Sequence, residues 1–277
     1  MNWKTLHHPN ISLPVVRRKA ADELLTLLAG ATELILTRGA SCIYRGCYPS
    51  TAAYDAAMRR LEKGGLLAKI KTDGSLPNLT LTDTAKKRLP DYFHPDRHWS
   101  KRWNKWWYIL MFDVPESQRQ YRDTLRTFLK KKRLGCLQKS VWVTPKDIRA
   151  EYDDLDKGTA VDSVAFLFEA HTVLGYGNQS VVQEAWDFHH LFTIQTLYTH
   201  TATENLNTLR GGSFTESDLL QLLRMDTQAY SQAMTLDPLL PKELHPENYM
   251  GEKVFVAHQK LIREIMDKQN GHINSRS

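Results

Sequence analysis

Residues 106–133 read WWYILMFDVPESQRQYRDTLRTFLKKKR, and this stretch decides the fold of the middle of the chain. The nearly continuous apolar run Trp106–Val114 predicts a buried strand. Pro115 suits the first turn of a helix. The segment Glu116–Lys132 repeats apolar residues at helical spacing, namely Tyr121, Leu125, Phe128 and Leu129. The stretch therefore predicts a strand followed by an amphipathic helix.

The next segments of the chain extend this unit. Leu137–Thr144 supplies strand residues around Val141, Trp142 and Val143. Residues 145–157 are expected to form a second helix, and residues 161–170 another strand. Strand, helix, strand, strand, helix, strand is the order of a ferredoxin-like domain.

The N-terminal segment has the layout of a small helix-rich module that ends in a hairpin. Helices are predicted over Arg18–Leu28 and Glu33–Arg38, and a third, capped by Ser50 or Thr51, runs to Lys63. Gly64-Gly65 stops it, and two short strands flank the turn signal Asp73-Gly74. A last short helix covers Thr82–Leu89, with Thr82 as its cap. This order is typical of a winged helix-turn-helix.

A winged helix places one helix in the major groove and lets the hairpin touch phosphates. The predicted recognition helix directs Ala53, Ala57, Met58 and Leu61 to the core. Its N-terminal end, which reaches base edges in this geometry, holds Ser50, Thr51, Tyr54 and Asp55. The predicted phosphate contacts are Arg59, Arg60 and Lys63 on the helix, with Lys69 and Lys71 on the wing. A solvated helix face is the alternative interpretation of Arg59 and Arg60.

The C-terminal part of the sequence predicts helices and little else. Helices are expected over Glu184–His200, Glu216–Met234 and Gly251–Lys268, with a rigid turn at Asp237–Pro241 and a frayed tail over Asn270–Ser277. The predicted fold is α+β, with four segments: a winged-helix DNA-binding domain (1–90), a linker (91–105), a ferredoxin-like dimerisation domain (106–182) and an α-helical C-terminal domain (183–277).

The linker holds an aromatic and basic run that includes Trp99, Trp103, Trp106 and Trp107. Aromatic side chains interleaved with cations can stack on bases. The interpretation favoured here is packing: Trp106 and Trp107 begin a strand, while Trp99 and Trp103 hold the linker against a domain.

Charge is distributed unevenly along the chain. Residues 1–105 hold 18 Lys and Arg against 9 Asp and Glu, and residues 106–150 hold 10 against 4. Residues 151–277 reverse the balance, with 9 against 18. A basic front indicates a polyanionic partner. No apolar run approaches the ~18 residues of a membrane span, and the three cysteines form no Cys-x-x-Cys pair. We therefore expect a cytoplasmic protein that does not enter membranes.

Three stretches resemble the PaaX (phenylacetic acid degradation repressor) family of transcriptional regulators. Trp107–Glu116 and Leu137–Pro145 are similar to the central domain of that family, which is Cas2-like. Ala185-Trp186-Asp187 resembles the opening of the family's next helix, and Asp237–Tyr249 resembles its C-terminal signature. At the N-terminus, Met58–Leu66 fits a helix-glycine-wing junction common to many winged helices.

The resemblance implies a homodimeric repressor that binds a double-stranded DNA operator and loses affinity when it binds an acyl-coenzyme A, which is phenylacetyl-CoA in the type member. It implies no catalytic residues, no metal and no resident cofactor. An acyl-CoA needs cations near its phosphates, so we expect it to reach toward the basic helix Arg119–Arg133. The residues that bind the effector are not indicated by the sequence.

Two other functions remain open at this stage. In Cas2-like nucleases an aspartate at the end of the first strand can help to bind a metal, and Asp113 has that position. Asp113 can equally shape the turn before Pro115. The third possibility is a DNA-binding adaptor without a small ligand. Metal-dependent cleavage separates the nuclease from the repressor, and ligand-sensitive release of DNA separates the adaptor from it.

Overall fold

The computed structural model describes residues 3–4, 50–70, 78–152, 165–172, 175 and 177–274. The fold divides into two compact units. Unit 1 comprises residues 1–93, 194–235 and 250–277, and unit 2 comprises residues 94–193 and 236–249. The predicted helices Arg18–Leu28 and Glu33–Arg38 lie outside the described residues. The four segments predicted from the sequence, with the three boundaries between them, stay a prediction.

Unit 2 is built on a four-stranded antiparallel sheet. Its strands are β3 (Trp107–Phe112), β4 (Gly135–Gln138), β5 (Val141–Thr144) and β6 (Ala165–Ala170), in the order β4-β5-β3-β6. The first of these strands is central: Ile109 lies opposite Val143 on β5 and Phe168 on β6. The expected split βαβ arrangement is therefore present, and β4 and β6 are the two edges.

One face of the sheet packs against α4 (Arg119–Lys131), which follows a 3-10 turn at Glu116–Gln118. Alternate residues of β3, Tyr108, Leu110 and Phe112, are buried there with Leu125 and Leu129 of the helix. Tyr121 and Phe128 pack at the margin. The predicted apolar face of this helix is confirmed, although its first turn is 3-10 rather than α-helical.

The opposite face of the same sheet is covered in part as well. Trp107 on β3 and Val143 on β5 are buried with Val181 and Val182 of α5 (Asn178–Ala185) and with Leu240 and Leu244. At the edge, Gly135 lies so close to α5 that an added Cβ would come 2.6 Å from that of Ala185. The central strand is thus apolar on both sides, which explains its uninterrupted hydrophobic run.

Only part of the remaining predicted α/β pattern lies among the described residues. The segment Leu137–Thr144 divides into β4 and β5, which a turn at residues 139–140 connects. Of the second predicted helix, residues 149–152 are helical and residues 153–157 lie outside the described residues. The last predicted strand is present from Ala165 onward.

The linker residues form two short helices, Asp91–Phe93 (3-10) and α3 (Asp96–Trp99). Trp99, Trp103 and Trp107 are buried. The Trp103 indole Nε1 donates to the Trp106 carbonyl oxygen at 2.9 Å, and Trp99 meets the ring of Tyr249 edge-on at 6.1 Å. The packing interpretation of this aromatic run is confirmed, and the strand begins at Trp107 instead of Trp106.

The segment Asp237–Tyr249 folds around one buried carboxylate. Asp237 is 0% exposed, and its Oδ1 accepts from the Leu239 backbone N–H at 2.8 Å. The Tyr249 hydroxyl donates to its Oδ2 at 2.7 Å, and the Arg133 guanidinium donates to the Asp237 carbonyl oxygen. These bonds hold Leu239 at a φ of 51°, and they explain why the predicted turn is rigid.

Unit 1 contains α1 (Thr51–Lys63), the hairpin strands β1 (Leu67–Ile70) and β2 (Asn78–Leu81), and α2 (Asp83–Arg88). Its other helices are α6 (Phe188–Arg210), α7 (Glu216–Thr235) and α8 (Gly251–Asn274). Of α6, only residues 194–210 belong to unit 1. The predictions for α7 and α8 are confirmed, except that α8 continues through residues 270–274, which we expected to be frayed. No helix among the described residues is long and apolar enough to cross a membrane.

The predicted helix Glu184–His200 is wrong as a single element. Helix α5 ends at Ala185, Trp186 is extended at φ −126° and ψ 139°, and α6 starts at Phe188. Asp187 caps the new helix, because its Oδ1 accepts from the His190 backbone N–H at 2.9 Å. The Trp186 indole donates to the Arg133 carbonyl oxygen at 3.2 Å. Ala185-Trp186-Asp187 is therefore a break between helices.

A buried polar cluster joins the three long helices of unit 1. The Asp226 carboxylate accepts from the Tyr198 hydroxyl at 2.8 Å and lies 2.7 Å from Nδ1 of His258. Burial, and then the nearby carboxylate, raise the pKa of Tyr198 well above its ordinary value, which keeps the hydroxyl protonated as a donor. Tyr230 stacks on His258 at 3.9 Å and donates to the Tyr92 carbonyl oxygen at 2.6 Å. The cluster ties the end of the N-terminal module to α7 and α8.

Replacing the buried carboxylate of the turn is expected to destabilise the protein. Asp237→Asn removes the charge and replaces one acceptor oxygen with an NH2 group, so the bonds from the Leu239 N–H and the Tyr249 hydroxyl are no longer charge-assisted, which costs about 1–3 kcal/mol of the free energy of unfolding. Urea denaturation of the full chain measures the change. The matched variant Asp113→Asn, at an exposed aspartate, should leave the midpoint unchanged. Equal midpoints for both variants would contradict this account of the turn.

Candidate DNA-binding surface

Helix α1 is positioned by its apolar side. Ala57, Met58 and Leu61 are buried, as predicted, and they share unit 1 with the buried hairpin residues Leu67 and Leu81. Nothing is described of the Ala53 side chain. Because one side of the helix is held in this way, its other side is presented to solvent.

The end of α1 sets the direction of the hairpin. Gly65 has a φ of 66°, a conformation that favours glycine. The Leu66 backbone N–H donates to the Leu61 carbonyl oxygen at 2.8 Å. The Thr82 hydroxyl donates to the Gly65 carbonyl oxygen at 2.6 Å and accepts from the Ala85 backbone N–H at 3.2 Å. Thr82 is thus the predicted cap of α2, and it also fastens the base of the hairpin to the end of α1.

Exposed cations occupy the solvent side of α1. Arg59, Arg60 and Lys63 are exposed, and none of them has a carboxylate oxygen within 4 Å among the described residues. The Nε atoms of Arg59 and Arg60 donate to the carbonyl oxygens of Asp55 and Ala56, each at 3.3 Å. These bonds leave most of each guanidinium available, so in the part of the chain that the structure describes no carboxylate neutralises the three positive charges of this face.

The other residues predicted to contact DNA are only partly described by the structure. Ser50 is exposed and precedes α1, Asp55 is half-buried, and Thr51 and Tyr54 lie in the first turns of the helix. On the hairpin, Lys69 lies on β1 opposite Leu79, and the predicted wing residue Lys71 lies outside the described residues. Contact of any of these residues with DNA stays a prediction.

The alternative metal site has little support from its surroundings. Asp113 follows β3 and is exposed. The described residues contain no group of three or more His, Cys, Asp and Glu side chains that could hold a metal ion. Asp113 therefore has no carboxylate or histidine partner set in the part of the chain that the structure describes.

A second group of exposed cations lies around the edge strand β4. The sequence predicts only that the basic helix Arg119–Arg133 meets the phosphates of an acyl-CoA, so what sequence reasoning missed is Lys139 beside that helix. The signal available was the excess of ten cations over four carboxylates in residues 106–150.

The central unit matches a known family. Residues 100–182 match the family model described as the PaaX protein central Cas2-like domain. The chain contains a PaaX-type central domain. The resemblance drawn from Trp107–Glu116 and Leu137–Pro145 is confirmed, since both stretches lie inside the matched range. The PaaX-type match covers the whole sheet of unit 2, helix α4 and the first five residues of α5, up to residue 182.

A solved structure shares the wider fold. The uncharacterized protein Rv0674 from Mycobacterium tuberculosis aligns over 91% of this chain and 97% of its own length, with a TM-score of 0.52 and 18% sequence identity. A likeness at this identity concerns the fold alone. No curated protein sequence matches the chain.

The junction between α1 and the hairpin offers a test of the site's geometry. Gly65→Ala places a Cβ on a residue at φ 66°, and the left-handed conformation costs a non-glycine residue about 1 kcal/mol. We expect a lower melting temperature. The matched variant Gly211→Ala adds a Cβ 3.7 Å from its nearest neighbour, the Asn207 carbonyl oxygen, and should not lower it. An unchanged melting temperature for Gly65→Ala would contradict the assigned stop.

Proposed function

We propose that this protein is a DNA-binding transcriptional regulator, a dimeric repressor that a small anionic effector such as an aryl-acyl-CoA releases from its operator. The observation behind the proposal is the PaaX-type central domain, which is found in a family of regulators, in one chain with a helix that exposes Arg59, Arg60 and Lys63. The proposal includes action in the cytoplasm, where bacterial operators lie, and no catalytic step.

In this proposal, α1 is the recognition helix of a winged helix-turn-helix. Ser50, Thr51, Tyr54 and Asp55 meet base edges, and the cations Arg59, Arg60, Lys63, Lys69 and Lys71 meet phosphates. Phosphate contacts position the protein, while base contacts specify the sequence. An effector that disfavours the DNA-bound form of the protein by about 1–3 kcal/mol is sufficient to release it from the operator.

The DNA prediction is tested by gel-shift titration with DNA from upstream of the protein's own gene, against scrambled DNA, at ~150 mM salt, where weak phosphate binding no longer dominates. Arg59→Ala/Arg60→Ala should weaken binding by about 10-fold or more, because two phosphate contacts are lost. The matched variant Lys253→Ala/Lys260→Ala removes two exposed cations of α8 and should bind as the wild type does.

The outcomes of this titration separate the proposed functions. Specific retention that phenylacetyl-CoA abolishes supports both the repressor and its effector class. Specific retention that phenylacetyl-CoA leaves untouched keeps the repressor and rejects this effector. No preference over scrambled DNA, at this site and at every site mapped genome-wide, would reject the regulator and redirect attention to metal-dependent cleavage at Asp113.

Dimerisation is proposed to use the central sheet. At the β6 edge, Met111, Phe166 and Phe168 lie on one face, and the two phenylalanines are 59% and 48% exposed. Their rings are 6.4 Å apart. Exposed apolar clusters of this kind commonly mark association sites, and a symmetric dimer brings the same patch of both subunits together.

The proposed dimer is tested by light scattering of the purified chain. The wild type should have the mass of two chains, and Phe166→Asp should reduce it toward the mass of one, because the charge would be desolvated in the interface. The matched variant Thr127→Asp, on the exposed side of α4, should remain dimeric. A monomeric wild type, or a dimeric Phe166→Asp variant, would reject this interface.

A further inference from the structure

The cations of α4 differ along the helix in whether a carboxylate neutralises them. Toward its start, Arg122 lies 2.8 Å from Glu116 and Arg119 lies 3.8 Å from Asp123. Toward its end, Lys130 and Lys131 are exposed and have no carboxylate within 4 Å among the described residues. The basic charge of this helix is therefore balanced at one end only.

The unbalanced end continues onto the edge of the sheet. Arg126 donates from Nε to the Lys139 carbonyl oxygen at 3.1 Å, which fixes the turn between β4 and β5 beside α4. Lys139 is exposed in that turn, and Lys132 follows α4 with its Nζ 5.6 Å from the Phe128 ring. We call Arg126, Lys130, Lys131, Lys132 and Lys139 the edge cation cluster.

The thiol of Cys136 on β4 lies near two of these cations. Burial raises the pKa of Cys136, while the positive charges of Lys130 and Arg126 act in the opposite direction. Both cations therefore act electrostatically on the edge strand. Across the cluster, the only carboxylate of an ion pair among the described residues is Asp123, 3.7 Å from Arg126.

Two ordinary explanations cover part of the cluster. Lysines in the last turn of a helix stabilise its dipole, which accounts for Lys130 and Lys131. A lysine beside an edge strand discourages pairing with other chains, which accounts for Lys139. Neither accounts for the bond from Arg126 to the Lys139 carbonyl oxygen, which holds the turn that carries Lys139 beside α4. Several exposed lysines without a carboxylate partner among the described residues, at one helix end and in the turn beside it, are the electrostatic pattern of phosphate binding.

We propose that the edge cation cluster is a second DNA-binding surface, which contacts backbone phosphates and adds affinity that does not depend on base sequence to the contacts of α1. This inference rests on the proposed function, because it assumes that the protein binds DNA. It assigns to the central domain a direct part in holding the operator, besides dimerisation. DNA is favoured over a small anion because the cluster is an open surface of helix and turn.

The experiment measures how the dissociation constant for operator DNA depends on salt. Each phosphate contact contributes about 0.9 to the slope of log affinity against log salt concentration. Lys130→Ala/Lys131→Ala/Lys139→Ala should reduce the slope by about 2–3 and weaken binding at ~150 mM salt by about 10–100-fold. The preference for operator over scrambled DNA should be unchanged.

The matched control removes the same charge from the same unit. Arg119→Ala/Lys146→Ala/Arg149→Ala takes away three exposed cations, each of which has a carboxylate partner: Asp123, Glu151 and Asp147 respectively. Its slope should stay close to that of the wild type. Circular dichroism confirms that both triple variants are folded, and single lysine variants replace a triple that is not.

Each other outcome overturns the inference in a distinguishable way. If the wild type binds its operator and both triple variants have its slope, the second surface is rejected and the proposed function stands. An unchanged slope with weakened release by phenylacetyl-CoA would reject DNA and assign the cluster to the small anion. Equal losses in both variants would show an effect of net charge. If the wild type retains no DNA, both proposals fail together.

Discussion

The burial of one strand on both faces is the constraint on which unit 2 depends. Strand β3 sends Tyr108, Leu110 and Phe112 to the side of α4 and sends Trp107 to the side of α5. Each face therefore needs its own cover: α4 covers one face, and α5 together with a late segment around Leu240 and Leu244 covers the other. Because every position of β3 but Met111 is at least half-buried, the strand tolerates few polar residues.

Much of this unit could be predicted from local pattern. The apolar run at Trp107–Phe112 and the helical spacing of Leu125 and Leu129 are signals within one element, so periodicity finds them. The stop at Gly64-Gly65 and the cap at Thr82 are also local, since each depends on the chemistry of one or two residues.

Features that depend on distant partners could not be predicted. The cluster of Tyr198, Asp226 and His258 draws one residue from each of three helices, and nothing in the spacing of these residues reveals that they meet. The helix break at Trp186 was missed for a related reason. Helical spacing of apolar residues continues across it, and only the capping bond of Asp187 and the indole bond to Arg133 show that the chain turns there.

The candidate site divides in the same way. Its apolar anchors Ala57, Met58 and Leu61 followed from periodicity, and the structure confirms them. The balance of charge around α4 did not follow, because it depends on which cations meet a carboxylate in three dimensions. Sequence counts give the excess of charge, and only coordinates show where that excess remains unpaired.

The PaaX-type segment is only part of the unit in which it folds. The chain passes between the two units after residues 93, 193, 235 and 249. The family match ends at residue 182, so it includes all four strands and omits Leu240 and Leu244, which cover Trp107 and Val143. The matched segment, residues 100–182, is thus shorter than unit 2, which also includes residues 94–99, 183–193 and 236–249. Transplanted alone into another protein, it would leave Trp107 and Val143 without part of their apolar cover.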